Sequence, residues 1–169
     1  GTWTVRRVVA HRCNSTPCVY RASMGTAFVY GTLMAPEVLE CLLKRQPTRK
    51  AATIKGYRRT RLSGVVFPAI IPEENGDSFV QGVLLEGLSD NEMQILDGYE
   101  SKEYYRTDVK ALLQDGSDLD ADVYVWKDEY RNMVLNEEWD YDKWRELYLH
   151  KWVARLSPDL PHPDGMLDD

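Results

Sequence analysis

The stretch "FVYGTLMAPEVLECLL", residues 28–43, decides how the chain is read. Phe28, Val29 and Tyr30 are the apolar and aromatic types that favour a buried strand. Gly31 and Thr32 interrupt that run. Pro36 suits the first turn of a helix, where its missing N–H is not needed. Val38, Leu39, Leu42 and Leu43 then recur along one helical face. A strand therefore ends in a tight turn set directly against a helix start. Backbone N–H groups in such a turn have no intrahelical acceptors and bind anions or carbonyl oxygens well. Gly31, having no Cβ, lets the backbone approach a ligand closely or take angles closed to other residues. Alone this is a weak signal, because most strand-to-helix junctions with one glycine are only connections.

Working outward, "ATIKGYRRTRL" (52–62) and "SFVQGVLLEGL" (78–88) read as strands, and "PEENGDS" (72–78) between them carries the Asn75-Gly76 turn signal. "SDNEMQILDGYE" (89–100) opens with Ser89 and Glu92 at capping-box spacing, so a short helix is expected. "YYRTDVKALL" (104–113) and "ADVYVWK" (121–127) read as two further strands joined by the polar loop "QDGSDLD" (114–120). "EEWDYDKWRELYLHKWVARL" (137–156) reads as a helix with Trp144, Leu147, Tyr148 and Trp152 on or near one face. Core packing explains that aromatic stripe better than partner docking does. Strands and helices mix without a regular βαβ repeat, and hairpin-like connections predominate. The fold class is therefore α+β, a mostly antiparallel sheet or small barrel flanked by helices.

The 169 residues suit one domain. The ends differ from the middle. No Asp or Glu precedes Glu37, whereas Arg6, Arg7, Arg12 and Arg21 lie in that stretch. An acid-free, Arg- and Ser/Thr-bearing leader has the composition of an organelle transit segment. Residues 1–25 are expected to be a poorly ordered extension, 26–156 the folded domain, and 157–169, with Pro158, Pro161 and Pro163, a flexible tail. A cytoplasmic location is expected, with organelle targeting by the extension left open. A net charge of −6 and a pI near 5.1 give no nucleic-acid footprint. No apolar run approaches the ~20 residues of a spanning helix. Three cysteines, Cys13, Cys18 and Cys41, are too few and too odd for a disulfide framework. "HRCNSTPC", with His11, lacks the paired spacing of a zinc site, so neither metal nor cofactor is expected.

The familiar catalytic signatures are missing. There is no G-x-S-x-G elbow, no phosphate loop and no H-E-x-x-H. His11, His150 and His162 sit in the leader, the last helix and the tail, so proton chemistry falls to a carboxylate or a tyrosine. In "LDGYESKEYYR" (96–106), Glu100 ends the short helix beside Tyr99 and near Tyr104 and Tyr105. A carboxylate among aromatic rings is partly desolvated, which raises its pKa and suits it to general-base work. By composition alone Asp97 or Glu103 is as good a choice.

Taken in order, "FVYGTL", "FPAI" (67–70), "VQGVLLEGLSDNEMQILDGYES" (80–101) and "YYR" (104–106) resemble the γ-glutamylcyclotransferase-like family, and within it the plant branch named for avirulence-induced genes. The resemblance spans roughly residues 27–150. It implies a small mixed β-barrel with packed helices. It also implies an activity in which a γ-glutamyl group closes to 5-oxoproline and releases an amine or amino acid, with no cofactor. The family's Tyr-Gly-Ser/Thr-Leu cradle falls on Tyr30, Gly31, Thr32 and Leu33, and its catalytic carboxylate on Glu100. Asp97 and Glu103 do not match that position. Backbone donors from Gly31 through Met34 to Ala35 would hold the α-carboxylate or the developing oxyanion. The partner is then a small γ-glutamyl compound. Its leaving group is open among cysteinylglycine, a free amino acid and a lysine side-chain amine, and oligomeric state is open too. The competing reading is a binding or interaction module that keeps the pocket without turnover.

Overall fold

The computed structural model describes residues 24–157; the expected N-terminal extension and C-terminal tail, and with them His11, Cys13 and Cys18, lie outside the described residues. Among the described residues, seven strands and three α-helices follow in the order β1 (Gly25–Val29), α1 (Pro36–Leu43), β2 (Thr48–Lys55), β3 (Tyr57–Thr60), β4 (Ala69–Pro72), β5 (Phe79–Leu88), α2 (Asp90–Glu100), β6 (Tyr104–Leu113), β7 (Asp118–Trp126) and α3 (Tyr141–Leu156). Five strands close a barrel in the order β1-β5-β2-β6-β7, and β3 and β4 form a separate two-stranded ribbon. Pairings between these strands are antiparallel except the β1–β7 closure at Ala27 and Asp122. The fold is thus of the α+β class that the strand pattern predicts, and of the sheet or barrel left open there it is the small mixed barrel that the resemblance implies.

Alternation along β1 divides the core in two. Phe28 and Tyr30 pack with Ile54, Leu84, Ala111 and Val123 inside the barrel. Ala27 and Val29 face the other way, toward Leu39 of α1, Leu96 of α2 and Trp144 of α3. A period of two is what a strand with both faces buried requires. On α2, the capping box forms as the spacing predicts: the Glu92 N–H donates to Ser89 Oγ at 3.1 Å and the Ser89 N–H to Glu92 Oε1 at 3.0 Å. Arg45 adds a forked pair to Glu92 at 2.6 and 2.8 Å. Arg145 does the same for Glu37 at 2.9 and 2.7 Å, tying α3 to α1.

Four local expectations are corrected. Residues 52–62 are not one strand: Gly56, at φ +83°, turns the chain between β2 and β3, and β2 starts earlier, at Thr48. A left-handed φ of that size favours glycine, so the break is encoded there. β4 is hidden in the sequence because four residues that follow Pro68 and end on Pro72 give too short a pattern. The polar loop before β7 is shorter than its composition implies, since Asp118–Asp120 join the strand after a turn at Gly116. α3 begins at Tyr141, capped by Asp140, whose carboxylate accepts the Lys143 N–H at 3.0 Å; Leu147 faces outward at 45% exposure, whereas Trp144 and Trp152 are buried.

Candidate functional site

The turn after β1, the C-terminal end of α2, the loop before β4, and single residues of β6, β7 and α3 enclose a cavity of about 210 Å³. The turn contributes Tyr30 to Leu33, and α2 contributes Tyr99 and Glu100, followed by Ser101. Phe67, Pro68, Tyr104, Tyr124 and Trp152 complete the aromatic wall. Among the described residues, Glu100 is the one carboxylic acid that lines it, and no Lys, Arg or His does.

The wall is locked by hydrogen bonds. Tyr30 donates to the Tyr124 carbonyl at 2.6 Å, and Tyr104 donates to the Pro68 carbonyl at 2.7 Å. The Tyr124 hydroxyl donates to Asp97 at 2.7 Å, and Arg106 approaches the same carboxylate at 3.2 Å. The Trp152 indole N–H donates to the Tyr99 hydroxyl at 2.8 Å, which lies 2.6 Å from Thr32 Oγ1. Burial pushes the phenols of Tyr30, Tyr99, Tyr104 and Tyr124 above the ordinary tyrosine range, so all four keep their protons and are neutral.

Glu100 stands apart from these satisfied groups. Its carboxyl has no hydrogen-bond or ion-pair partner among the described residues. It keeps some accessible surface because the cavity is open at its mouth, yet the surrounding protein strips most of its hydration. Burial alone pushes the carboxyl from 4.5 up to about 8. Immediately after it, Ser101 adopts φ +63° and ψ −169°, a region that glycine alone enters without strain. Ser101→Gly is expected to raise unfolding free energy by about 1 kcal/mol, and urea denaturation of the two proteins checks this.

Residues 27–145 match the model of the family described as Gamma-glutamyl cyclotransferase, AIG2-like. The chain belongs to that family. Two curated relatives from Arabidopsis thaliana are similar over most of their length. AIG2-like protein D is 40% identical over 83% of this chain and 94% of its own, and AIG2-like protein C is 42% identical over 70% and 68%. A solution structure of another Arabidopsis thaliana protein superposes with a TM-score of 0.61 at 32% identity, covering 77% of this chain and 86% of that one.

Against this γ-glutamyl cyclotransferase, AIG2-like frame, the expected site residues separate. Tyr30, Gly31, Thr32 and Leu33 meet Glu100 in one cavity. Met34 and Ala35 do not line it; both are buried in the core. Their N–H groups are used within the turn, Met34 to the Gly31 carbonyl at 3.0 Å and Ala35 to that of Thr32 at 3.1 Å. Free backbone donors of the turn are thereby confined to Gly31, Thr32 and Leu33. Gly31 has a φ of −125°, so its role is not a left-handed turn. It is needed for space: a Cβ there would lie 2.8 Å from Cγ of the Pro68 ring. Asp97 is engaged by Arg106 and Tyr124, and Glu103 accepts the Ser101 hydroxyl, which leaves Glu100 the unpartnered acid of the segment. Tyr105 points away and is 40% exposed, whereas its strand neighbour Tyr104 lines the cavity.

Pro68, Tyr124 and Trp152 line the site without being among the residues expected there. Pro68 is visible in the sequence only within the "FPAI" motif. Tyr124 has its strand alternation as a signal, since residues of opposite parity in "ADVYVWK" face opposite sides. Trp152 has none beyond its helical stripe.

Proposed function

We propose that the chain is a γ-glutamyl cyclotransferase with Glu100 as its base. The observation that carries this reading is an unpartnered carboxyl of raised pKa lining the same aromatic cavity as Gly31, Thr32 and Leu33, turn residues whose N–H groups donate no backbone hydrogen bond among the described residues. The substrate's α-amine attacks its own γ-carbonyl carbon, a C–N bond forms, and a five-membered ring closes. Nucleophile and electrophile belong to one molecule, so the cavity's main task is to hold the reactive conformer. Glu100 removes a proton from the α-ammonium and delivers it to the departing nitrogen as the old C–N bond breaks; the ring nitrogen's second proton then passes through the same carboxylate to the released amine. Turn N–H groups hold the α-carboxylate or the oxyanion. The products are 5-oxoproline and a free amine.

The pH dependence follows from the protonation states. Reaction needs one proton fewer than the combination of protonated Glu100 and ammonium substrate. Below about pH 8 the free enzyme carries that extra proton on Glu100. The value of kcat/KM is expected to rise about tenfold per pH unit between about pH 6 and 8 and to level off above that. Release of 5-oxoproline from γ-glutamyl amino acids, γ-glutamyl-lysine and glutathione, followed across pH, tests the reading. A folded protein that binds 5-oxoproline but turns over no member of that panel would reassign the cavity to a binding module.

A further inference from the structure

Trp152 reaches the cavity from α3, beyond residue 145 where the family match ends. An indole N–H only donates, so the Tyr99 hydroxyl oxygen is the acceptor of their 2.8 Å bond. Tyr99 still has one proton to place, and among the described residues its one remaining neighbour is Thr32 Oγ1 at 2.6 Å. A phenol is the more acidic of the two hydroxyls, and its oxygen, conjugated with the ring and already accepting from Trp152, is the poorer acceptor. The stronger donor gives and the better acceptor takes, so the bond runs from Tyr99 to Thr32. Thr32 Oγ1 then accepts, and its own proton has no taker among the described residues, although Thr32 lines the cavity.

We infer that Trp152, Tyr99 and Thr32 form a one-way donor relay that presents the Thr32 O–H to an oxygen of the bound γ-glutamyl group. The ligand's identity rests on the cyclotransferase reading; the direction of the relay does not. Each donor polarises the next, so the terminal O–H is stronger than an isolated hydroxyl. Thr32 is the group that touches substrate. Tyr99 and Trp152 are positioning residues, and the helix that supplies Trp152 becomes part of the catalytic architecture.

The test is a double-mutant cycle in the full chain, using Trp152→Phe, Tyr99→Phe, Thr32→Val and the pairs with Thr32→Val. Phenylalanine keeps an aromatic ring at 152 while deleting the N–H. Thr32→Val is expected to lower kcat about 100-fold, as loss of an oxyanion donor does. Trp152→Phe is expected to lower it about tenfold, the scale of one hydrogen bond. Added to Thr32→Val, Trp152→Phe should then cost less than about twofold, since coupled residues are not additive. A loss in the Thr32→Val background as large as in wild type makes Trp152 a packing residue and overturns the relay. If Trp152→Phe proves unfolded in a thermal melt, Tyr99→Phe carries the same cycle without altering α3. Calorimetric titration with 5-oxoproline runs beside the kinetics. Wild type that binds without turnover sinks the cyclotransferase reading, and the same cycle read in Kd then judges the relay. Wild type that neither binds nor turns over overturns both.

Discussion

Glu100→Gln is expected to abolish 5-oxoproline release while making the protein more stable in alkaline solution. The amide has nearly the shape of the acid, and it cannot take a proton from the substrate ammonium. Loss of a general base at this position should lower kcat by at least about 100-fold. The stability gain follows from the same raised pKa. Folded Glu100 holds its proton up to about pH 8, whereas an unfolded glutamate releases it near 4.5. Between those values the folded state binds more protons than the unfolded state, so stability falls as pH rises and is lowest above pH 8. At 1.36 kcal/mol per unit, reduced because the carboxyl is partly open to solvent, the loss is on the order of 3 kcal/mol. The glutamine amide carries no such proton. Urea unfolding at pH 5 should give nearly equal stabilities for the two proteins, and at pH 9 the variant should be the more stable. Equal stability at pH 9 would mean that Glu100 is well hydrated, and a base of ordinary pKa would then have to be sought. Retained turnover in the variant would remove Glu100 from the mechanism altogether.

Several destabilising features of the described residues gather at one place. Glu100 sits without a partner, Ser101 holds a glycine-type conformation directly after it, and both border a cavity that no side chain fills. None of these helps the fold. The features that do help it lie elsewhere: the capping box of α2, the forked Arg45–Glu92 and Arg145–Glu37 pairs, and the two apolar clusters. Such a separation is expected where a ligand completes what the polypeptide leaves open.

Much of the fold is legible because its signals are local. Ser89 and Glu92 announce α2, Pro36 announces α1, and the apolar and aromatic run of Phe28, Val29 and Tyr30 announces a buried β1. Barrel closure is not legible in detail, since the contact of β1 with β7 joins residues far apart in sequence and leaves no pattern in either strand. The break at Gly56 escapes notice because "ATIKGYRRTRL" keeps its strand composition across the turn. At the site, Tyr30 to Leu33 and Glu100 emerge from the residues together with the family resemblance, and both line the cavity. Met34 and Ala35 are expected there only if a short turn leaves all its N–H groups free; a 3-10 turn instead consumes the last two. Pro68 and Trp152 depend wholly on tertiary packing. Nothing in "FPAI" shows that the proline ring occupies the space a Cβ on Gly31 would need, and nothing in the last helix shows that one of its tryptophans reaches Tyr99.

Trp144→Ala is the substitution expected to cost the fold most. Trp144 is 2% exposed and packs against three aromatic rings: Trp139 at 6.0 Å, Tyr141 at 6.2 Å in a stacked arrangement, and Trp152 edge-on at 5.8 Å. Truncation deletes those contacts and leaves a cavity that rigid neighbours cannot fill, at a cost of about 3–5 kcal/mol. For a chain of this size the melting temperature should drop by roughly 10 °C. Trp144→Phe separates ring packing from hydrogen bonding. The Trp144 indole nitrogen is buried without a partner among the described residues, so phenylalanine loses volume but also removes an unsatisfied donor. Its cost should be about 1–2 kcal/mol, well under half that of alanine. Equal losses for the two variants, measured by urea unfolding, would show that the outer ring of the indole carries the packing and that the unpaired N–H costs nothing. Because Trp144 braces Trp152 from behind, the alanine variant should also lose turnover in proportion to its loosened cavity wall. A Trp144→Ala protein that unfolds early yet keeps full kcat below its melting temperature would show that Trp152 holds its place without that support.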